Sequence, residues 1–463
     1  MKKQLFIWIL LYLPTLYAQE ISYHICSNKI DGKPALDILC EFEGNREGIT
    51  KISIPSSKDR LEILHMRCLA PDSLIEDTDH PEVKRVTHSP GGKFQLHYTV
   101  VAQDDSPLPS QDRPIIQNDY FLFFGYNLFA HPDEGDQQEA HIRLQWDRFP
   151  KEWQIANSYG IDLCIQELDQ PIWLFLNGIY GGGKSPITQC GDHSSPVFVG
   201  IYGKFSFSRE RLVRTIDTII SSQREFWEDS NFPYTFVSVH PNGDPQSIAG
   251  QGTPNGFAIF TKDFLNESEK EWKNLAFVLS HECFHTWNGL KMRPVPADQS
   301  MAWFVEGFTD YYATTLLLRT TLIEWEDYLG LINETLDNYF TSPVRNERNE
   351  RITQDFWNDY TLQKLPYYRG FLLALRWDYA LKKRGDSLDT AMRSLFHRTQ
   401  QEKRPYYLAD IIELSNLPSA RDDIERYILS GQTLNPDPEA FGHHCYLDLL
   451  PTPHYIPFPA ATY

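Results

Sequence analysis

A histidine–glutamate motif past the middle of the chain most constrains what this sequence can fold into. His281, Glu282 and His285 form an H-E-x-x-H pattern, and a run of apolar residues precedes it. The run predicts a buried helix that begins at about Glu269, and residues four apart lie on one face of a helix. His281 and His285 can therefore offer two imidazole nitrogens to one metal ion, while Glu282 can lie beside the metal without binding it.

A second acidic motif supplies the candidate for a third metal ligand. Catalytic zinc usually has three protein ligands and one open position. Glu306 lies far enough beyond His285 for a turn and a second helix, and Asp310 follows Glu306 by one helical turn. Asp310 can accept a hydrogen bond from a ligand histidine and so fix its tautomer. An H-E-x-x-H pattern also arises by chance from two core histidines, but the second motif favours one zinc ion per chain, bound by His281, His285 and Glu306.

Length, composition and charge limit the number of domains and the kinds of partner that this chain can have. With 463 residues, of which 41% are hydrophobic, the chain can form two or three domains with large cores. The formal net charge is −19. Nucleic acid and anionic membrane surfaces are therefore poor partners, because either would need a basic face. No oligomeric state follows from the sequence.

Residues 1–18 have the pattern of a secretory signal peptide. Lys2 and Lys3 form a charged start, an apolar run follows from Leu5 to Leu13, and the small Ala18 precedes a plausible cleavage point. We therefore predict an exported protein, either periplasmic or secreted. The run is short for a membrane span, so we do not expect an integral membrane protein unless this segment stays uncleaved.

The seven cysteines are widely spaced. Their spacing matches neither a small disulfide scaffold nor a zinc knuckle. An oxidising compartment permits about one to three disulfides. The most reasonable pairing joins Cys26 to Cys40 or to Cys68. Cys283, inside the motif helix, is expected to pack as a small apolar residue.

Short segments of alternating apolar and polar residues predict an antiparallel β domain over residues 19–200. The clearest are residues 51–54, 94–100 and 142–146, and a further apolar strand is predicted at 172–176.

The glycine-rich segment 178–185 formally satisfies the phosphate-loop pattern. Such a loop needs a helix that begins at Lys184 and Ser185, and Pro186 opposes one. We therefore predict a tight hairpin there and no nucleotide partner.

Helical periodicity dominates after residue 208. Helices are predicted at residues 209–227, from 269, and at 306–320, 324–339, 370–384 and 388–397. A strand is predicted at 234–239, followed by a loop rich in glycine, proline and asparagine that reaches Phe257. Residues 434–463 carry many prolines and aromatic residues, which predicts a tail along the surface.

Three stretches carry a family resemblance. Residues 280–288, 303–312 and 367–375 resemble the glycyl aminopeptidase family of metallopeptidases, which are gluzincins related to aminopeptidase N and thermolysin. The resemblance implies an α+β fold, with the N-terminal β domain followed by a thermolysin-like, mainly helical catalytic domain over residues 201–433. It also implies Glu282 as the catalytic general base and Tyr367 as the oxyanion donor, with Tyr368 as the alternative.

Two features depart from the family pattern. Family members often end in a PDZ domain, which we do not expect here. The family also carries a glutamate and a histidine in a segment that corresponds to residues 250–256, and both are missing. Such a glutamate can hold the free ammonium group of a substrate. The resemblance implies a zinc metallopeptidase that acts on peptides or proteins. An aminopeptidase that prefers small N-terminal residues is the first interpretation. A thermolysin-type endopeptidase and a catalytically silent peptide-binding relative are the alternatives.

Overall fold

The computed structural model describes residues 19–458, apart from 56–60, 70–73, 81, 103–113, 134, 136–137, 230–233, 245–246, 443 and 450. The predicted signal peptide at 1–18 lies outside the described residues. Contacts divide the chain into two compact units. Among the described residues, the first holds those within 19–102, 124–151 and 163–177, and the second holds those within 114–123, 152–162 and 178–458. The predicted domain boundaries, with tail and catalytic domain separate, stay predictions.

Strands make up most of the described residues before residue 202. In chain order the elements are β1 (Gln19–Ile30), β2 (Lys33–Glu43), β3 (Ile49–Ser53), β4 (Leu61–Cys68), β5 (Leu74–Asp77), β6 (Val83–Thr87), β7 (Lys93–Ala102), β8 (Ile115–Ile116), β9 (Tyr120–Phe124), α1 (Gly125–Leu128), β10 (His131–Pro132), β11 (Glu139–Asp147), β12 (Gln154–Asn157), β13 (Gly160–Ile161), β14 (Ile165–Pro171), α2 (Ile172–Leu176), β15 (Ile179–Gly183), β16 (Ile187–Cys190) and β17 (Val197–Ile201).

Helices dominate the remainder. They and the later strands are α3 (Arg209–Trp227), β18 (Thr235–Pro241), β19 (Ile248–Thr253), β20 (Gly256–Thr261), α4 (Glu269–Phe284), β21 (Pro294–Val295), α5 (Ala302–Val305), α6 (Gly307–Arg319), α7 (Trp325–Thr341), α8 (Asn349–Asp355), α9 (Tyr360–Lys382), α10 (Leu388–Glu402), β22 (Tyr406–Tyr407), α11 (Leu408–Leu414), α12 (Ala420–Asp423), β23 (Cys445–Asp448) and β24 (His454–Pro457). The predicted α+β fold class is confirmed.

The first unit is built on a six-stranded sheet in the order β14-β11-β1-β2-β7-β4. Neighbouring strands run antiparallel except β1 and β11, which are parallel. Side chains alternate between the faces of a strand. On β1, Tyr23 and Ile25 are buried on one face. The hydroxyl of Tyr23 donates to the Ala130 carbonyl at 2.8 Å, so its polar end is satisfied within the core.

The predicted strand at 172–176 is wrong, because these residues form the helix α2. Five successive apolar residues carry no periodicity that separates a buried strand from a buried helix. Pro171 precedes the helix with a φ of −59°, a value that suits the start of a helix.

The predicted disulfide is also wrong, because all seven cysteines are free thiols. Cys26 lies opposite Asp37 on β2, whereas Cys40 lies opposite Tyr23 on β1. The two cysteines are therefore separated by three positions along the ladder, about 10 Å. A disulfide needs Cα atoms within about 7 Å. Cys68 lies on β4, and the strands β2 and β7 separate β4 from β1, so Cys68 is also too far from Cys26.

The second unit contains two five-stranded sheets. One has the order β13-β12-β15-β9-β8, and the other has the order β16-β17-β18-β20-β19. In the latter, β17, β18 and β20 are parallel and β19 closes the edge antiparallel to β20. The helices α4, α6 and α9 pack on one another within this unit.

The glycine-rich segment is a sheet strand, so the predicted hairpin is wrong. Gly182 and Gly183 lie on β15, opposite Ile155 and Gln154 on β12. A β-carbon on Gly183 would lie 2.6 Å from the Asp119 carbonyl oxygen, so the sheet needs glycine here. The next element after this strand is β16, not a helix, so the segment has no free helix N-terminus to bind phosphate.

The predicted loop up to Phe257 is in fact the hairpin β19–β20. Asn255, with a φ of 52°, forms the turn, and Gly252 pairs with Phe257. Glycine weakens a strand in isolation. Pairing with β20 provides the backbone hydrogen bonds that the composition alone does not indicate.

The predicted helices agree better with the structure than the predicted strands and loops do. α3 spans the predicted residues, α4 begins at Glu269, and α10 begins at Leu388 as predicted. α9 begins at Tyr360, well before the predicted residue 370, because Asp359 caps it by accepting from the amides of Thr361 and Leu362. Pro366 lies inside this helix, where proline normally argues for a break.

The C-terminal segment forms the hairpin β23–β24. The backbone of Tyr455 donates to the side chain of Asn333 on α7 and accepts from it. Among the described residues, we find no helix with both the length and the apolar character that a membrane crossing requires.

Candidate zinc site

The helix α4 brings the two motif histidines together at its C-terminal end. His281 lies in the last turn, and His285 is the first residue after the helix. The apolar residues Leu275 and Leu279 are fully buried and anchor the preceding turns in the core. The Nε2 atoms of His281 and His285 are 2.9 Å apart, so both rings point at the same place.

Glu306 completes a triangle of donor atoms. It lies between α5 and α6, and its Oε2 is 3.4 Å from Nε2 of His281 and 3.3 Å from Nε2 of His285. Zinc ligands at 2.0–2.1 Å in a tetrahedral arrangement are about 3.3 Å apart. The spacing of the three donor atoms therefore fits a single zinc ion.

Hydrogen bonds to the far nitrogens fix both histidine tautomers. Nδ1 of His281 lies 2.7 Å from Oδ1 of Asp310, and Nδ1 of His285 lies 3.0 Å from the carbonyl oxygen of Asn288. Both oxygens can only accept, so each Nδ1 carries the proton and each Nε2 carries a lone pair. Two lone pairs 2.9 Å apart repel unless a cation lies between them. The donor set thus fits zinc on chemical grounds as well as by distance.

The structure adds Asn288, to which sequence reasoning assigned no role. Its buried side-chain amide donates to the carbonyls of Phe304 at 3.0 Å and Val305 at 3.2 Å. These carbonyls immediately precede Glu306, so Asn288 ties the backbone of the third ligand to the helix that carries the first two. The available signal was an asparagine three residues after His285, inside the conspicuous motif stretch.

Glu282 lies beside the ligands and is buried. Burial raises the pKa of its carboxyl, while the two histidines and the Gly252 backbone amide oppose that rise. A β-carbon on Gly250 would lie 2.6 Å from Cδ of Glu282. The strand β19 therefore passes directly against this carboxyl group.

Tyr367 on α9 faces the same site. Its ring stacks on that of His281, with centroids 6.3 Å apart and an interplanar angle of 13°. Burial raises the pKa of Tyr367 well above its usual value, and the carboxylates of Glu306 and Asp310 add to this. The hydroxyl is thus a proton donor at neutral pH. Tyr368 is the next residue on the helix and points about 100° away.

The structure thus brings His281, Glu282, His285, Glu306, Asp310 and Tyr367 into one site. The catalytic roles assigned to these residues stay predictions.

Part of the chain is similar to a known peptidase family. Residues 274–370 match the model of the M61 glycyl aminopeptidases. This segment is similar to the M61 family. The predicted resemblance is confirmed there, in the part of the chain that carries both histidines, Glu306 and Tyr367. The M61 segment and its three donor atoms make the chain a zinc metallopeptidase.

Solved structures share the fold over most of the chain. An aminopeptidase N family protein from Idiomarina loihiensis has a TM-score of 0.78 at 16% identity, covering 92% of this chain and 79% of that one. A mutant M1 zinc metallopeptidase from Deinococcus radiodurans, bound to a Tyr-Ser-Ala substrate, has a TM-score of 0.55 at 15% identity, covering 91% and 96%. Yeast LTA4 hydrolase in complex with bestatin has a TM-score of 0.55 at 14% identity, covering 91% and 68%. No curated protein sequence matches the chain.

Proposed function

We propose that this protein is an exported zinc aminopeptidase that removes small residues from the N-terminus of peptides. The observation that carries the proposal is the convergence of His281, His285 and Glu306, with Glu282 buried beside them. The M61 match supports the aminopeptidase class. The substrate named for the Deinococcus structure is a tripeptide, which supports a short peptide here.

The residues around the donor triangle divide the chemistry of hydrolysis between them. Zinc, when bound by His281, His285 and Glu306, supplies a Lewis acid that polarises the scissile carbonyl and acidifies the attacking water. Glu282 accepts the proton of that water and delivers it to the leaving amine. The Tyr367 hydroxyl donates a hydrogen bond to the oxyanion as it develops.

The edge strand β19 offers a binding surface for the peptide backbone. Within the described part of the chain, β19 pairs only with β20, so no neighbouring strand takes its other edge. An extended peptide can add to such an edge by main-chain hydrogen bonds. The glycines at 250 and 252 let this strand pack closely against Glu282 and His285, which places its edge beside the site.

A thermolysin-type endopeptidase is the second candidate, and one observation favours it. The segment from Gly250 to Gly252 carries Gln251 and no carboxylate that could hold a substrate ammonium group. A strand edge that binds only the backbone accepts a blocked peptide as readily as a free one.

The deciding experiment compares the mature protein with Glu282→Gln on Gly- and Ala-initiated peptides, each free and N-acetylated. We expect near-stoichiometric zinc in both proteins, cleavage of the free peptides by wild type, and no cleavage of the acetylated ones. The glutamine variant is expected to lose about 10²–10⁴-fold in kcat. Equal cleavage of acetylated peptides would establish the endopeptidase, and zinc without any cleavage would establish a silent peptide-binding relative.

The proposed export has its own test. Expression of the full chain in a bacterial host, followed by fractionation and N-terminal sequencing, should give a soluble exported form that begins near Gln19. A cytoplasmic product that retains residues 1–18 would contradict it.

A further inference from the structure

We propose that the first unit carries a second metal site, formed by His24, Cys26 and Asp147 on one face of its six-stranded sheet. His24 and Cys26 are two apart on β1, so both side chains point to the same face. Asp147 is the last residue of the neighbouring strand β11 and pairs directly with Cys26. The strand register thus places an imidazole, a thiol and a carboxylate together.

The distances between the three donor atoms fit tetrahedral coordination. Sγ of Cys26 is 3.5 Å from Nε2 of His24, and Oδ2 of Asp147 is 3.5 Å from the same nitrogen. With Zn–S near 2.3 Å and Zn–N near 2.0 Å, a sulfur and a nitrogen on one tetrahedral ion lie about 3.5 Å apart. For nitrogen and oxygen ligands the separation is about 3.3 Å. All three donor atoms lie within 4.8 Å of one another.

Neighbouring hydrogen bonds orient the Asp147 carboxylate and leave the fourth coordination position of the metal to water. Oδ1 of Asp147 accepts from the Arg148 amide at 2.8 Å, which leaves Oδ2 directed toward His24. Asp37 lies opposite Cys26 on β2, but Asn28 and Thr99 donate to its two oxygens at 2.8 Å and 2.6 Å. Asp37 is therefore already occupied, and the fourth ligand is water.

The chemistry of the donors selects the class of metal. A thiolate and an imidazole favour borderline ions such as Zn²⁺ and Co²⁺ over Mg²⁺ or Ca²⁺, which prefer oxygen. The metal-free protein holds a proton on the Cys26 sulfur at neutral pH, because a thiol ordinarily titrates above neutrality. Binding forms the metal–sulfur bond and releases that proton to water. Thiolate and Asp147 carboxylate then balance the two positive charges of the ion.

Cobalt separates this site from the catalytic one. The catalytic donors are two histidines and a glutamate, so cobalt bound there gives no thiolate charge-transfer absorption. We expect the chelator-treated, reduced full chain to bind about two cobalt ions per molecule. One of them should produce a near-ultraviolet thiolate-to-cobalt band.

The variant Cys26→Ser should abolish the band and lower the bound cobalt from about two ions to about one. Cys164→Ser is the matched control, since Cys164 is the exposed cysteine of this unit, and it should leave both readings unchanged. His24→Ala and Asp147→Asn should each weaken the band, which keeps the test informative if the serine variant fails to fold.

Two results would overturn the proposal. Wild-type protein without a thiolate band would show that His24 and Asp147 form only an ion pair beside a protonated thiol. A band that survives in Cys26→Ser would place the thiolate ligand elsewhere.

Discussion

The helix α4 and the strand β19 line the same site and contribute different things to it. The helix supplies chemical groups: His281, Glu282 and His285 all come from α4 or the residue after it. The strand supplies backbone without side chains, because its glycines allow the chain to pass directly against Glu282.

A site needs more than its reactive groups. The donor atoms on α4 are useful only when their partners fix them, as Asp310 and Asn288 do. The carboxyl of Glu282 is useful only when the facing strand leaves it room. Substitutions on the two sides should therefore fail in different ways, either by losing zinc or by losing turnover while zinc remains.

The largest effect is expected on the side of the ligands. Glu306→Gln replaces a charged ligand by a neutral amide, so the variant should lose most of its zinc and at least about 10³-fold in kcat. Metal analysis of the purified protein and steady-state kinetics measure both. Glu225→Gln, on the exposed face of α3, is the control and should change neither. Full zinc occupancy in Glu306→Gln would exclude this residue as the third ligand.

A smaller loss, with zinc retained, is expected from the oxyanion donor. Tyr367→Phe removes the hydroxyl that faces Glu306, and should lower kcat by about 10²–10³-fold. The adjacent Tyr368→Phe should stay within a few-fold of wild type, because that ring is only half-buried and points elsewhere. If Tyr368→Phe has the larger effect, the assignment of the two tyrosines is reversed.

The same contrast explains how much of the site could be predicted from the sequence. The residues that carry the chemistry are recognisable by type and spacing. The sequence therefore predicts His281, Glu282, His285, Glu306 and Asp310 as one group. Asn288 received no role, because its function is to donate to two backbone carbonyls, and sequence does not show where carbonyls point.

The fold could likewise be predicted only in part from the sequence. Helices with a clear apolar period, such as α3 and α4, were predicted with accurate starts. Segments defined by pairing or by a short apolar run were not. β15 and β19 are rich in glycine and gain their structure from neighbouring strands, and α2 has five apolar residues without a period. Local composition does not indicate which neighbouring strands a segment will pair with.

The close packing of β19 against Glu282 can be tested by adding a methyl group to the strand. Gly250→Ala places a methyl group against the side chain of Glu282, so the base must shift while the three zinc ligands remain. A displacement near 1 Å can cost about 10²-fold, and we expect that loss in kcat with normal zinc content. Gly330→Ala is the matched control.

Gly330 lies in α7, where a β-carbon meets nothing within 4 Å. Its replacement should raise the free energy of unfolding by about 0.5–1 kcal/mol and leave turnover unchanged. Unchanged kcat in Gly250→Ala would show that the strand yields to the methyl group, and that the close approach to Glu282 has no catalytic consequence.

The smallest effect is expected when the ligand His281 keeps its position and loses only the negative charge of its hydrogen-bond partner Asp310. Asp310→Asn still offers an oxygen to Nδ1 of His281, but without the negative charge that increases the basicity of the ring. Zinc affinity should fall by about 10–100-fold, measured by competition with a chelator, while kcat at saturating zinc stays close to wild type. Asp422→Asn, at an exposed position in α12, is the control. Unchanged affinity in Asp310→Asn would mean that Asp310 only orients the ring. Asp310→Ala, which removes the acceptor, should then weaken zinc binding where the asparagine variant does not.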